Sequence, residues 1–282
     1  MSILEAIILG IVQGLTEFLP ISSTGHLTVV GQLMGLISDR KPEEWTAFIA
    51  VIQLGTLGSA VVYFWRDIVE IVGEWFSQNL MERRPIKEQS GGAKSGWLIV
   101  VGSVPVAVVG LLFKDAIEGA LTKSLYVVAG SLIALAIVLA IAEKTARFHK
   151  KIEDLTFIDT LIIGTAQAFA LIPGSSRSGT TITGGLFVGL NREAAARFSF
   201  LLSVPAVLAS GALQFYQSLD YLDADGWTTL VVATVVSGAS GYAAIDFLIK
   251  FLRKNTTFLF IYYRIAAGAA ILALLAAGVI TT

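Results

Sequence analysis

Two short stretches of this 282-residue chain hold most of the groups able to do chemistry, and both lie in apolar surroundings. The first reads Gln13-Gly-Leu-Thr-Glu17-Phe-Leu-Pro20-Ile-Ser22-Ser23-Thr24-Gly25-His26. Gln13 and Glu17 are four apart and share one helical face, and Pro20 cannot continue that helix. Ser22, Ser23 and Thr24 then supply hydroxyls and N-cap candidates for a second helix that carries His26. A helix start with hydroxyls and free backbone N–H groups is a ready anion site. Burying an acidic residue at mid-span costs about 2.5–3.5 kcal/mol on the insertion scale. Glu17 and His26 are therefore expected to act, although pairing with each other or snorkelling would be the simpler role. Gln13 alone could equally serve as a hydrogen-bonding residue between helices.

The second stretch reads Pro173-Gly174-Ser175-Ser176-Arg177-Ser178-Gly179-Thr180-Thr181. A guanidinium is always charged and forks onto phosphate oxygens, and glycines let the backbone approach an anion closely. The run is not a Walker loop, which needs Gly-x-x-x-x-Gly-Lys followed by Ser or Thr. Arg177 could instead pair with Glu17, which would itself bring the two stretches together. The candidate phosphate-binding set is Gln13, Ser22, Thr24, Gly174, Ser175, Ser176, Ser178, Gly179 and Thr180.

The elements that must position these groups are membrane helices. The chain is 55% hydrophobic and only 15% charged, against about a quarter charged in soluble domains. Disorder is excluded because it needs low hydrophobicity and high net charge, and the net charge here is −1. A pI near 6.1 argues against nucleic acid as a partner. With no cysteine, disulfides, thiolate metal sites and cysteine nucleophiles are absent. Apolar stretches near the spanning length of about 20 residues run Ala47 to Phe64, Trp97 to Phe113, Leu125 to Ala142, Phe198 to Tyr216, Trp227 to Ile249 and Phe258 to Ile280. Ile3 to Leu36 and Thr160 to Leu190 are too long for one span, and each is broken by a Pro-Ser-Ser cluster. The start lacks the basic flank of a removable signal.

If the broken regions dip in and return while the six clean stretches cross, the lysines and arginines outside apolar segments divide four against fourteen. Arg40, Lys41, Lys114 and Lys123 fall on one side, with the acidic loop Asp220 to Asp225 and both termini. The basic side, which includes the connection 143–159, is then cytoplasmic. Gln13, Pro20, Ser22, Ser23 and Gly25 are echoed by Gln167, Pro173, Ser175, Ser176 and Gly179, and Ala47-Phe48 by Arg197-Phe198. The expected fold is all-α: one polytopic membrane domain with six transmembrane helices and two re-entrant helix pairs. Its two inverted-topology repeats are 1–142 and 160–282. Such folds place a polar site near the midplane where the halves meet.

Other polar residues read as structural. His149 lies in a basic run and is expected to be solvated or to face headgroups. Arg264, beside Tyr262 and Tyr263, is expected to snorkel to an interface or form a charge pair. Asp246 should pair with Lys250 one turn on. Trp65, Trp75, Trp97 and Trp227 fall at span ends, as an interfacial belt would. Gly91-Gly92, inside the polar stretch Ser77 to Ser95, marks an expected mobile loop.

On Gln13-x-x-x-Glu17 followed by Pro20-Ile-Ser22-Ser23-Thr24-Gly25-His26, and on Pro173-Gly-Ser-Ser-Arg177-Ser178-Gly-Thr180, the whole chain closely resembles the undecaprenyl-diphosphate phosphatase family, UppP or BacA. The resemblance implies hydrolysis of a long polyprenyl diphosphate to the monophosphate and inorganic phosphate. That reaction recycles the lipid carrier for wall polymers and confers bacitracin resistance. It also implies a divalent cation, Mg2+ or Ca2+, and a site opening to the outer face of the bacterial plasma membrane. Its functional positions fall here on Gln13, Glu17, Ser23, His26 and Arg177, with Ser176, Ser178 and Thr180 in the phosphate loop. The family takes Glu or Gln at the first position; Gln13 cannot act as a base and is a weaker ligand, so Glu17 is the principal metal candidate. Membrane lipids surround such a protein, and a second copy is a candidate partner.

The leading chemical expectation is that Ser23 attacks phosphorus, with Glu17 as base and His26 orienting or protonating. The runner-up keeps Ser23 as a ligand and makes His26 the nucleophile or the activator of water. A different class, a secondary transporter or flippase for a lipid phosphate or other anion, would also use inverted repeats and broken helices. The combination of base, hydroxyl, imidazole and arginine favours an enzyme.

Overall fold

The structure, a computed structural model, describes residues 1–37, 42–113, 124–218 and 224–280. Among these residues there is no β-strand; the chain forms α1 (Ile3–Phe18), α2 (Ser23–Leu33), α3 (Pro42–Tyr63), α4 (Trp65–Phe76), α5 (Gly91–Leu112) and α6 (Leu125–Thr145). Then follow α7 (Phe157–Ala168), α8 (Arg177–Phe187), α9 (Arg192–Ser218), α10 (Ala224–Leu252) and α11 (Phe258–Ala276). Helices α5, α6, α9, α10 and α11 are long and apolar enough to cross a bilayer. A sixth span is α3 with α4 if that pair, bent by 80°, counts as one. The protein is thus a multi-pass membrane protein, as the apolar stretches imply.

The broken regions become two helical hairpins, α1–α2 and α7–α8. Their helices have 16, 11, 12 and 11 residues, short of the roughly 20 needed to span. Capping boxes start α1, where Ser2 and Glu5 exchange bonds, and α7, where Thr156 and Asp159 do the same. Pro20 and Pro173 fall in the breaks.

Each hairpin docks on the other half of the chain through a glycine. A Cβ on Gly10 of α1 would sit 2.6 Å from the Ala233 carbonyl of α10. A Cβ on Gly164 of α7 would collide with the Gly102 carbonyl of α5. Small residues allow this close backbone approach where lipid supplies no hydrophobic drive. The α3–α10 seam is similar, with Ser237 Oγ donating to the Ile52 carbonyl at 2.8 Å and Ser59 Oγ to the Gly238 carbonyl at 2.7 Å. Phe18, Phe64 and Phe200 meet in the main buried cluster, Phe18 edge-on to Phe200 at 5.1 Å between centroids.

One expectation is corrected. The stretch from Ser77 to Ser95 is not a mobile loop but a folded continuation of α4. A π-helical turn covers Ser77–Met81, a short 3-10 turn covers Ile86–Glu88, and α5 already begins at Gly91. Gln78 Nε2 donates to Ser90 Oγ at 2.7 Å, and Gln89 Nε2 to Asn79 Oδ1 at 2.9 Å. These polar residues bond to one another, so hydropathy alone misses their order.

The basic end is laced by ion pairs: Arg192 to Glu143, Lys150 to Asp159 at 2.9 Å, Arg197 to Asp67 at 2.9 Å and Arg253 to Glu193 at 2.8 Å. Lys250 pairs with Asp246 at 2.7 Å as expected, and His149 is exposed. Arg40, Lys41, Lys114, Lys123 and residues 219–223 of the acidic loop lie outside the described residues.

Candidate active site

Both hairpins turn on the same device. Ser22 precedes α2 with φ 76°, and its hydroxyl accepts the Gly25 N–H at 3.3 Å. Ser176 precedes α8 with φ 66°, and its hydroxyl accepts the Gly179 N–H at 3.2 Å. Left-handed backbone at a residue other than glycine is costly and persists where the surroundings hold it. The shared geometry corrects the register of the internal echo: Ser22 matches Ser176 rather than Ser175. The spacing from Gln13 to Ser22 equals that from Gln167 to Ser176, so it is the proline that stands one place earlier, and Gly174, at φ 84° against Val128 and Ser131, takes the place of Pro20.

In that register the first residue of each second helix is a candidate site residue, Ser23 in α2 and Arg177 in α8. Both reach Glu17, which is 7% exposed at the end of α1. Ser23 Oγ donates to Glu17 Oε2 at 2.6 Å, and Arg177 Nη2 donates to Oε1 in an ion pair across the two hairpins. Gln13, fully buried, donates its Nε2 to Oε2 at 3.0 Å. The carboxylate is thereby held on both oxygens by groups from three helices. A serine hydroxyl at this distance from a carboxylate is placed to lose its proton to it.

His26 is not part of this knot. Its Nδ1 lies 2.6 Å from the Ser22 carbonyl and its Nε2 2.6 Å from Tyr263 Oη. A carbonyl only accepts, so Nδ1 carries the proton and, in the neutral ring, Nε2 accepts from the tyrosine. The rings of His26 and Tyr263 stack at 5.5 Å. His26 therefore holds the carbonyl of the strained cap.

The second loop is held from behind by Arg264. This residue corrects a further expectation: it neither snorkels nor meets a carboxylate, but is fully buried. Its Nη2 donates to the Ser175 carbonyl at 2.9 Å and its Nε to the Leu132 carbonyl at 3.2 Å. The adjacent tyrosines suggest an interface, yet an arginine inside an apolar span is by default functional; the signal was there. Ser178 Oγ donates to the Leu19 carbonyl at 3.0 Å, tying one hairpin to the other, and Thr180 Oγ1 bonds the Arg177 carbonyl at 3.0 Å. Ser175 is fully buried with no partner for its hydroxyl among the described residues.

A cavity of about 730 Å³ opens at the meeting point. Glu17, Ser22, Ser23, Thr24, Arg177 and the loop Gly174 to Ser176 form its polar end, with Gln53 and Gln167. Its remaining walls are largely apolar, from Val106, Ala107, Leu111, Leu171 and Val207. Gln13, His26, Ser178, Gly179 and Thr180 do not line it. Gln167, the counterpart of Gln13, has neither amide atom bonded among the described residues and faces the cavity. An anionic head at Arg177 and a hydrocarbon body along these walls match the chemistry of the space.

Among the described residues no three His, Cys, Asp or Glu side chains gather to cage a metal. Glu17 with the hydroxyls of Ser22, Ser23 and Thr24 gives an oxygen set around a single carboxylate. That set fits Mg2+ arriving with phosphate, because Mg2+ keeps several waters and uses one or two carboxylates plus substrate oxygens. It is too sparse for a cation held by protein alone.

The chain is similar to known proteins over nearly its whole length. The model of a family described as bacitracin resistance protein BacA matches residues 6–270. A protein of Syntrophobacter fumaroxidans named undecaprenyl-diphosphatase is 52% identical over 272 residues, covering 96% of this chain and 97% of its own. Proteins of the same name from Prosthecochloris aestuarii and Chlorobium luteolum are 51% and 50% identical, each over 99% of both chains.

Proposed function

Because the chain belongs to the bacitracin resistance protein BacA family, we propose that it hydrolyses undecaprenyl diphosphate to undecaprenyl phosphate and inorganic phosphate. The carrying observation is the convergence of Ser23 and Arg177, from separate hairpins, on Glu17 at the polar end of an apolar-walled cavity. The activity returns a lipid carrier to wall synthesis in the bacterial inner membrane, and bacitracin resistance follows from acting on the lipid that the drug sequesters.

Phosphoryl transfer is catalysed chiefly by positioning and charge neutralisation. The entering diphosphate competes with Glu17 for Arg177, whose guanidinium turns to the phosphate oxygens and leaves the carboxylate basic. Glu17 takes the proton of Ser23 as Oγ attacks the terminal phosphorus. The P–O bond to the lipid phosphate breaks, and Glu17 passes the proton to that departing oxygen. Water then loses a proton to Glu17 and attacks the phosphoserine, Ser23 Oγ regains the proton, and inorganic phosphate leaves. The 2.6 Å bond between Ser23 and Glu17 supports serine over His26 as nucleophile. His26 acts by holding the cap.

Glu17, with Ser23 and Thr24, would hold Mg2+, or less well Ca2+, and the cation would neutralise charge on the diphosphate. The matching caps, the matching glycines and the exchange of partners, α1 on α10 and α7 on α5, support two inverted repeats. The excess of Lys and Arg at the α4 end supports a cytoplasmic position for it, with both termini and the cavity mouth on the outer side.

Phosphate release from undecaprenyl diphosphate by detergent-purified protein tests the reading, since a carrier needs a sealed membrane and an enzyme does not. Trapping label on Ser23 with the intact protein is the expected result. Label on His26, or no phosphoenzyme with full turnover in Ser23→Ala, would remove the serine mechanism.

A further inference from the structure

The active-site cavity has a neighbour across α9. A second, apolar groove of about 210 Å³ lies where α4, α5 and α9 meet, lined by Ile68, Ile71, Val72, Trp75, Val100 and Val204 among others. Pro205 of α9 lines both spaces. On α5, Gly96, Ile99 and Val100 face the groove, while Ser103, Val106, Ala107 and Gly110 face the cavity. Steps of three and four put these residues on one helical stripe. From Gly96 to Leu111 the stripe runs roughly 22 Å at 1.5 Å per residue. Among the described residues no charged side chain lines the groove, and those of the cavity are Glu17 and Arg177 at the hairpin end.

Two of the long-helix seams differ here. Helices α3 and α10 close on each other through Gly55, Ser59 and Ser237. Helices α5 and α9 touch where Leu202 packs on Gly102, and beside that contact they leave the cleft open.

Resting on the phosphatase reading, we propose that the α5–α9 cleft beyond Pro205 seats the distal isoprene units of the lipid substrate, while the cavity takes the diphosphate and the proximal units. The occupant is the substrate's own tail because the groove adjoins, across Pro205, the site that holds its head, and its described lining is apolar. Lipid tails are as apolar as the groove, so seating adds packing and orientation rather than a hydrophobic drive. The site then selects for chain length: a short diphosphate fills the cavity only, and a long one engages both.

The test compares undecaprenyl diphosphate with farnesyl diphosphate on the purified full chain. Val100→Trp and Val204→Trp should block the groove and lower kcat/KM for the long substrate by roughly tenfold, the scale on which a hydrophobic pocket discriminates. Farnesyl diphosphate should be unaffected, and Val104→Trp, exposed on α5 outside both spaces, should change neither. Equal losses on both substrates, or no loss on either, overturn the proposal. If the tryptophan variants do not fold, a diphosphate lipid with a photoreactive group at its far end reports on the unaltered protein. Label on α4 or on Gly96 to Val100 supports the tail path; label only elsewhere overturns it. Lack of hydrolysis of either substrate by unaltered protein would instead sink the phosphatase reading, whatever the photolabel shows.

Discussion

Hairpin α1–α2 and hairpin α7–α8 are built on one plan and bring opposite charges to the cavity. Each has a glycine that docks on the other half, a buried glutamine one turn later, and a serine cap with left-handed backbone before its second helix. The first then presents a carboxylate and a hydroxyl, and the second a guanidinium. Duplicated structure thus supplies position, and single residues within it supply chemistry. The difference also shows which positions are free to diverge: Glu17 has Leu171 as its counterpart, Ser23 has Arg177, and His26 has Thr180.

The comparison breaks most visibly at the reactive residues. Arg177→Ala should lower turnover about a thousandfold or more, as loss of an arginine that stabilises phosphoryl transfer does. Ser23→Ala should be comparably damaging, and Arg177→Lys should leave most of the deficit because lysine cannot fork. Near-normal phosphate release by any of these would separate the two hairpins from catalysis.

The caps test whether the shared plan is structural. Ser22→Ala and Ser176→Ala should each cost about 1–2 kcal/mol, since alanine removes the cap and keeps a side chain at positive φ. The corresponding glycine variants should lose less, because glycine accepts that backbone freely. Thermal unfolding in detergent reads both pairs; alanine and glycine behaving alike would argue against strain at these serines.

Smaller effects sharpen the contrast. Tyr263→Phe keeps the ring beside His26 but removes one hydrogen bond, so activity should fall about three- to tenfold. The two glutamines should divide kinetically. Gln13→Leu releases Glu17 and should lower kcat by a few fold, whereas Gln167→Leu strips an unbonded amide from the cavity and should raise KM instead. Identical kinetic signatures would mean that the glutamines do the same work.

Much of this was legible from residue order. Spans follow from hydropathy because the bilayer demands about 20 apolar residues, and the site motifs stand out because charge in such sequence is costly. The pairing of Glu17 with Arg177 was legible as one of two readings. Two features were not, and a third, the burial of Arg264, was signalled by its place in an apolar span but masked by its neighbours. The order of Ser77 to Ser95 rests on side-chain hydrogen bonds between Gln78, Asn79, Gln89 and Ser90, which no hydropathy profile registers. Arg264 lies beside two tyrosines, so its neighbours in sequence suggest an interface while its neighbours in space are carbonyls. The register of the repeat slips by one at the serines because Pro173 stands one place earlier than Pro20, and matching the prolines draws Ser22 onto Ser175.

The ion pair between Arg177 and Glu17 has one more consequence. Between turnovers, the two cancel each other inside the cavity rather than standing free. The pair therefore presents no net charge to the cavity until an anion takes the guanidinium.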